Sequence, residues 1–254
     1  MKYTTMTVAA LVAGTYATTA KADIVNGGFE AGLENFAPVG EVEVVSSEFG
    51  SGPVAGEAQV FLSTASEGDL GGPGAAVSAA ELEEFIGSFP NFADEALDGS
   101  AIQTRFTSDG GEQVGFSWNF LTDEGVMIPG YLFNDYAFAV LDSELGSDAF
   151  LLSDTLSPAF AAAPVTATAF FNETGFQSFV APIEPGVEYT LSIGVVDVAP
   201  AGEENEPQLI SGLLVDEVQL VPEPAATFSL LLLGAGTVCG VKRRKKADKT
   251  PGEI

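Results

Sequence analysis

The sequence contains no histidine, and its single cysteine, Cys239, lies inside an apolar run near the C-terminus. Without imidazole, the serine and cysteine triads that use histidine as base are excluded. Zinc loses its commonest nitrogen ligand for the same reason. One cysteine cannot make an intradomain disulfide, so the fold must be held by its core, with or without a metal. No glycine-rich phosphate loop is present either. A carboxylate pair of the glycosidase type remains chemically open, and the sequence nominates no particular pair. Overall the composition points away from an enzyme.

Positive charge is almost as scarce. Of nine basic residues, Lys2, Lys21, the cluster Lys242, Arg243, Arg244, Lys245, Lys246, and Lys249 lie in the end segments, leaving only Arg105 in the body 23–221. That body holds 33 of the 36 acidic residues, a formal charge of −32. Such a domain repels nucleic acid and anionic lipid, so neither is an expected partner. The acidity suits high-salt solubility, binding of divalent cations, or non-adhesive bulk in a matrix, and does not choose between them. Arg105 is expected to form a surface ion pair of small energetic weight. The alternative is a bidentate grip on a uronic acid.

What is present is organised at the two ends. Lys2, an apolar stretch over 6–17 and the small-residue pair Ala20 and Ala22 predict a signal peptide over 1–22, with Asp23 as the mature start. At the other end, Pro222-Glu223-Pro224 precedes an apolar run over 225–241, followed at once by the basic cluster 242–246. The run sits at the short edge of the roughly 17–25 residues that cross a bilayer, and the basic cluster orients the end 247–254 to the cytoplasm. The arrangement resembles the PEP-CTERM sorting domain of Gram-negative bacteria. That resemblance implies an exosortase as partner, transient or permanent anchoring in the inner membrane, and delivery to the cell surface or extracellular matrix. The competing reading is an ordinary single-span anchor with a proline-rich hinge.

Between these ends, strand signals dominate the body 23–221. Val114, Phe116, Trp118 and Phe120 alternate with small or polar residues, as do Tyr189, Leu191, Ile193 and Val195. Ile102, Thr104 and Phe106 share a face, which puts Arg105 on the opposite one with Gln103 and Thr107. Further strands are predicted over 41–46, 58–63, 136–142, 150–153, 165–171, 176–183 and 213–221. One helix is predicted: Ser78 and Glu81 form a capping box, and Leu82, Phe85 and Ile86 make an apolar stripe that ends at Gly87. Many short strands with one helix predict an all-β jelly-roll sandwich. The aromatics are assigned to its core rather than to a sugar platform.

Two motifs bear on function. The mature start Asn26-Gly27-Gly28-Phe29-Glu30, followed by Gly32, and the last strand Leu213-Leu214-Val215-Asp216-Glu217-Val218 resemble the opening and closing strands of galactose-binding-like carbohydrate-binding modules. The resemblance implies a structural calcium ion held in part by Glu30 and Asp216, a set of hard oxygen donors that suits calcium. The alternative is that Glu30 caps a turn and Asp216 faces solvent. The stretch 118–124 with 134–138 resembles a pattern recurring in PEP-CTERM proteins of unknown role. If its strands are neighbours, Asp123, Glu124 and Asp135 could form a second cation site; otherwise they are turn formers at strand ends. The leading expectation is a non-enzymatic exported protein associated with exopolysaccharide. A lectin-like carbohydrate-binding module is the alternative, and a glycoside hydrolase or lyase the third.

Overall fold

The structure, a computed structural model, describes residues 24–65, 74–87, 96–110, 112–123, 134–156, 170–198 and 209–222. The chain divides into two compact units, Met1–Val221 and Pro222–Ile254, and the fold below is that of the first. In chain order its strands are β1 (Ala37–Val39), β2 (Glu41–Val45), β3 (Gln59–Ser63), β4 (Val77–Ser78), β5 (Ala96–Thr107), β6 (Glu112–Thr122), β7 (Tyr136–Ser143), β8 (Gly146–Asp154), β9 (Asn172–Glu173), β10 (Gln177–Pro182), β11 (Glu188–Val198) and β12 (Ser211–Pro222), with helix α1 (Ala79–Ile86) between β4 and β5. They form two six-stranded sheets. The first runs β1-β5-β11-β7-β8 with β4 also paired to β5; the second runs β10-β6-β12-β3-β2 with β9 also paired to β6. This is the expected all-β sandwich with one short helix.

Alternation explains how the sheets face each other. Val114, Phe116, Trp118 and Phe120 of β6, Val60 and Leu62 of β3, and Leu213 and Val215 of β12 meet Ile102, Phe106, Leu191, Ile193 and Val195 of the opposite sheet. The aromatic residues of β6 are therefore core, as expected. Two smaller apolar clusters cover the outer faces. On the first sheet, Leu82 and Ile86 of α1 pack on Ala101, Phe138, Val140 and Val196. On the second, Phe61, Leu121, Phe170 and Leu214 are joined by Phe49 and Phe176. Being covered on both sides, β7 is buried without a break from Tyr136 to Leu141, so it reads as a continuous apolar run rather than an alternating one.

The helix forms where its signals stand. Ser78 accepts from Glu81 N, the Glu81 carboxylate accepts from Ser78 N at 3.1 Å, and Gly87 closes the last turn in the left-handed region at φ 80. Registers also give the sandwich two distinct ends. The start of β5 pairs with the end of β11, and the end of β3 with the start of β12. Ser100 of β5 bridges the sheets at that end by donating to Ser63 O at 2.6 Å. At the other end lie the β7–β8 hairpin, the β10–β11 connection and the end of β12. The first described residues also run beside β12, with Val218 N donating to Gly27 O at 2.9 Å.

Candidate functional site

The Asn-Gly-Gly-Phe-Glu segment folds into a tight loop whose residues each have a local task. Asn26 takes a left-handed conformation (φ 63), which asparagine tolerates well. Its side chain accepts from Ala31 N at 3.0 Å and donates to Gly32 O at 2.9 Å and Glu34 O at 3.0 Å. Gly27 lies so close to the Val218 carbonyl that a Cβ there would overlap it. Phe29, fully buried, packs its ring 4.8 Å from that of Phe36. Glu30 is thereby delivered to the segment 54–58, where its Oε1 accepts from Glu57 N at 2.7 Å and Ala58 N at 3.1 Å.

Asp216 reaches the same segment from β12. Its carboxylate is fully buried, and Oδ2 accepts from Val54 N at 2.8 Å and Ala55 N at 3.0 Å. Oδ1 accepts from Glu217 N at 2.7 Å, with Glu217 itself at φ 54. Burial pushes the Asp216 carboxyl above its usual range, and the amides of Ala55, Glu217 and Val54 partly offset this. The two residues singled out at opposite ends of the sequence are thus brought to one loop. Asp216 does not face solvent, contrary to the simpler of its two sequence readings.

Oε2 of Glu30 accepts no hydrogen bond among the described residues, whereas both oxygens of Asp216 accept from backbone amides. Calcium takes about 6–8 oxygen ligands. The described residues contain no group of three or more acidic side chains suited to a metal, so the remaining donors would be backbone carbonyls and water.

The second candidate set is arranged differently. Asp123 directly follows β6 of the second sheet, where its Oδ1 accepts from Phe171 N at 3.0 Å. Burial raises its pKa, and the Phe171 amide opposes the rise. Asp135 precedes β7 in the first sheet and is fully buried, its Oδ1 accepting from Val198 N at 2.9 Å. The two strands are not neighbours, and Glu124 lies outside the described residues. Asp135 instead hydrogen-bonds Asp197 of β11, which pairs directly with Asp98 of β5. Burial first, and Asp197 second, push Asp98 up to about 7. Burial likewise raises Asp197, whose hydrogen bonds to Asp135 and to the Val198 amide pull the other way. No sequence signal marks this cluster, because only the β5–β11 register creates it.

Other carboxylates are also engaged within the fold. Glu173, almost fully buried, accepts from Ser51 Oγ at 2.9 and 2.7 Å and from Asn119 Nδ2 at 2.7 Å. Arg105 sits on the exposed face of β5, in register with Thr190 of β11 and, one strand further, Asp142 of β7. It makes no ion pair among the described residues. Of the sorting segment only Pro222 is described, as the end of β12; Glu223, Pro224 and the basic cluster 242–246 lie outside the described residues, as does the signal segment 1–22. Among the described residues no helix is long and apolar enough to cross a membrane.

The described residues also form a concave feature. Where the β7–β8 hairpin faces the β10–β11 connection, a cleft of about 330 Å³ opens between the sheets.

No family model matches the chain, and no curated protein matches it. Among solved structures, it is similar to TmCBM61 in complex with β-1,4-galactotriose, at 15% identity over 79% of this chain and 97% of that one, with a TM-score of 0.40. It is also similar to the K1 cleaved adhesin domain of Lys-gingipain from Porphyromonas gingivalis W83, at 9% identity over 74% and 90% of the two chains and a TM-score of 0.37. A third is TmCBM27, a carbohydrate-binding module that recognises mannan, at 14% identity over 79% and 95% and a TM-score of 0.33. At such distances the likeness carries no ligand and no residue role.

Proposed function

We propose that this chain is an exported, non-catalytic protein of the cell surface or extracellular matrix, sorted by an exosortase and associated with exopolysaccharide. The observation that carries the reading is the use to which the buried and half-buried carboxylates are put. Asp216, Asp123 and Asp135 accept from backbone amides of sequence-distant segments, and Glu173 from the side chains of Ser51 and Asn119. These charges brace the sandwich and leave binding to its surface. Glu30 and Asp216 would hold a structural calcium ion, whose charge would offset theirs and tie the first loop, segment 54–58 and the last strand together. The sorting tail and the signal segment supply the route.

The test follows both parts in an exosortase-bearing host. Replacing Pro222-Glu223-Pro224 by alanines should hold the protein in the inner membrane, whereas the parent should reach the surface fraction and co-purify with exopolysaccharide. An unchanged size and location of the variant would overturn the sorting reading. Release of reducing ends from that polysaccharide would overturn the non-catalytic one.

A further inference from the structure

The unit formed by β4 and α1 is fastened to the first sheet at a narrow place. β4 pairs with β5 at two positions, Val77 with Gly99 and Ser78 with Asp98. Ser78 is also the N-cap of α1, so the ladder and the helix share that residue. Leu82 of α1 lies directly on Gly99, where an added Cβ would come within 3.0 Å of its Cδ2. Further hold comes from packing of Leu82 and Ile86 on Ala101, Phe138, Val140 and Val196. The Gln103 amide adds a hydrogen bond to Phe85 O at 3.3 Å.

On its other side Asp98 meets Asp197 of β11, and Asp197 hydrogen-bonds Asp135 just before β7. Three carboxyl groups thus stand in one row across neighbouring strands, on the face that carries Ile102, Val195 and Ala137. Like charges directly opposite each other on a ladder repel. Oδ1 of Asp98 is buried and accepts no hydrogen bond among the described residues. Ser153 of β8, buried and paired with Ala137, also leaves its hydroxyl without a partner, so it brings the row no donor. The other elements packed on β5 bring no positive charge. β1 and β3 carry no charged side chain, β2 adds Glu41 and Glu43, and α1 adds Glu81, Glu83 and Glu84. Arg105 of β5 lies on the opposite face, as does Tyr136 of β7.

We propose that Asp98 is a proton-operated latch for the β4–α1 unit. With its proton, it keeps the start of β5 against β11 and so holds β4 and α1 on the sheet. Ionised, it faces Asp197 across the ladder and loosens them. Burial and Asp197 raise its pKa to about 7, so the latch is closed in acid and released as pH rises through that value. Release would uncover the apolar face of Ala101, Phe138, Val140 and Val196.

The test is hydrogen exchange of the full-length protein in detergent at about pH 5.5 and about pH 8.5, on either side of the release. It is read on peptides from 77–87 and corrected for the intrinsic rise of amide exchange with pH. Protection of 77–87 should fall at least about tenfold between the two, while peptides from β3 and β12 keep theirs. Asp98→Asn should hold the fall below about twofold, and Asp197→Asn should do the same because it removes the facing charge. Equal protection at both pH values overturns the latch. A fall that survives in Asp98→Asn, or in Asp197→Asn where the first variant does not fold, overturns the role of Asp98. An equal loss in β3 and β12 is global unfolding and overturns a local release.

Discussion

Asp216 and Asp98 are two withdrawn carboxylates that meet opposite company. Both lose water on folding, and in both that loss pushes the pKa upward. Asp216 is met by three backbone amides, those of Val54, Ala55 and Glu217. Asp98 is met by Asp197 across the β5–β11 ladder, a second carboxyl that also prefers its neutral form. The contrast shows how a body with 33 acidic residues and one arginine folds at all. Among the described residues Arg105 pairs with no carboxylate, so a salt bridge is not the means there. Oriented amide N–H groups serve as the local counter-charges where a carboxylate must stay ionised, and a proton does so where amides are lacking.

The largest effect is expected on the amide-supported side. Gly27→Ala would drive a Cβ into the Val218 carbonyl, parting the first loop from β12, and should cost about 3 kcal/mol in denaturant unfolding. A stability within error of the parent would show that this junction is not what orders the clamp.

The acid pair should respond to pH, with the same sign as Asp216, because burial raises the pKa of both. Asp98 has its folded pKa raised to about 7, above the ordinary 3.8. Its favourable contribution is therefore complete below about pH 4 and lost as pH rises through about 7. Asp98→Asn should leave stability unchanged near pH 4 and raise it at pH 8 by roughly 2 kcal/mol, after allowance for solvent screening. Thermal melts of parent and variant across that range check this; parallel curves would remove the account of a raised Asp98.

Calcium sharpens the comparison further, because it should act on one side only. Adding it should raise the melting temperature by several degrees through the Glu30 and Asp216 carboxylates, and Asp216→Asn should abolish the gain while Asp98→Asn keeps it. A melt indifferent to calcium would leave the amides alone in that role. The smallest effect belongs to Arg105→Ala, which should change stability by no more than about 0.5 kcal/mol. A larger loss would mean that the lone cation does support the acidic body.

Legibility followed the range of each interaction. The inward face of β6 and the α1 capping box rest on residues two to four apart, and both stand where the sequence predicts. The two-residue strands β4 and β9 were invisible, since so short a segment carries no periodicity. β8 was expected over 150–153 and extends over Gly146–Asp154, because its first half is exposed and lacks an apolar alternation. The strand predicted over 165–171 lies mostly outside the described residues, and its described part, Phe170 and Phe171, is not strand. Glu30 and Asp216 were singled out together by resemblance; the segment 54–58 that they grip gave no sign of itself, because backbone amides are common to every residue.

The amino-acid sequence by itself determined the all-β character, the helix with its caps, the exclusion of histidine and disulfide chemistry, and the acidity of the body. These follow from composition and from spacing along a few residues. Only the tertiary structure decided which carboxylates face amides and which face each other. Those assignments depend on strand register and on which sheet each strand enters, where a shift of one residue would turn every side chain to the other face.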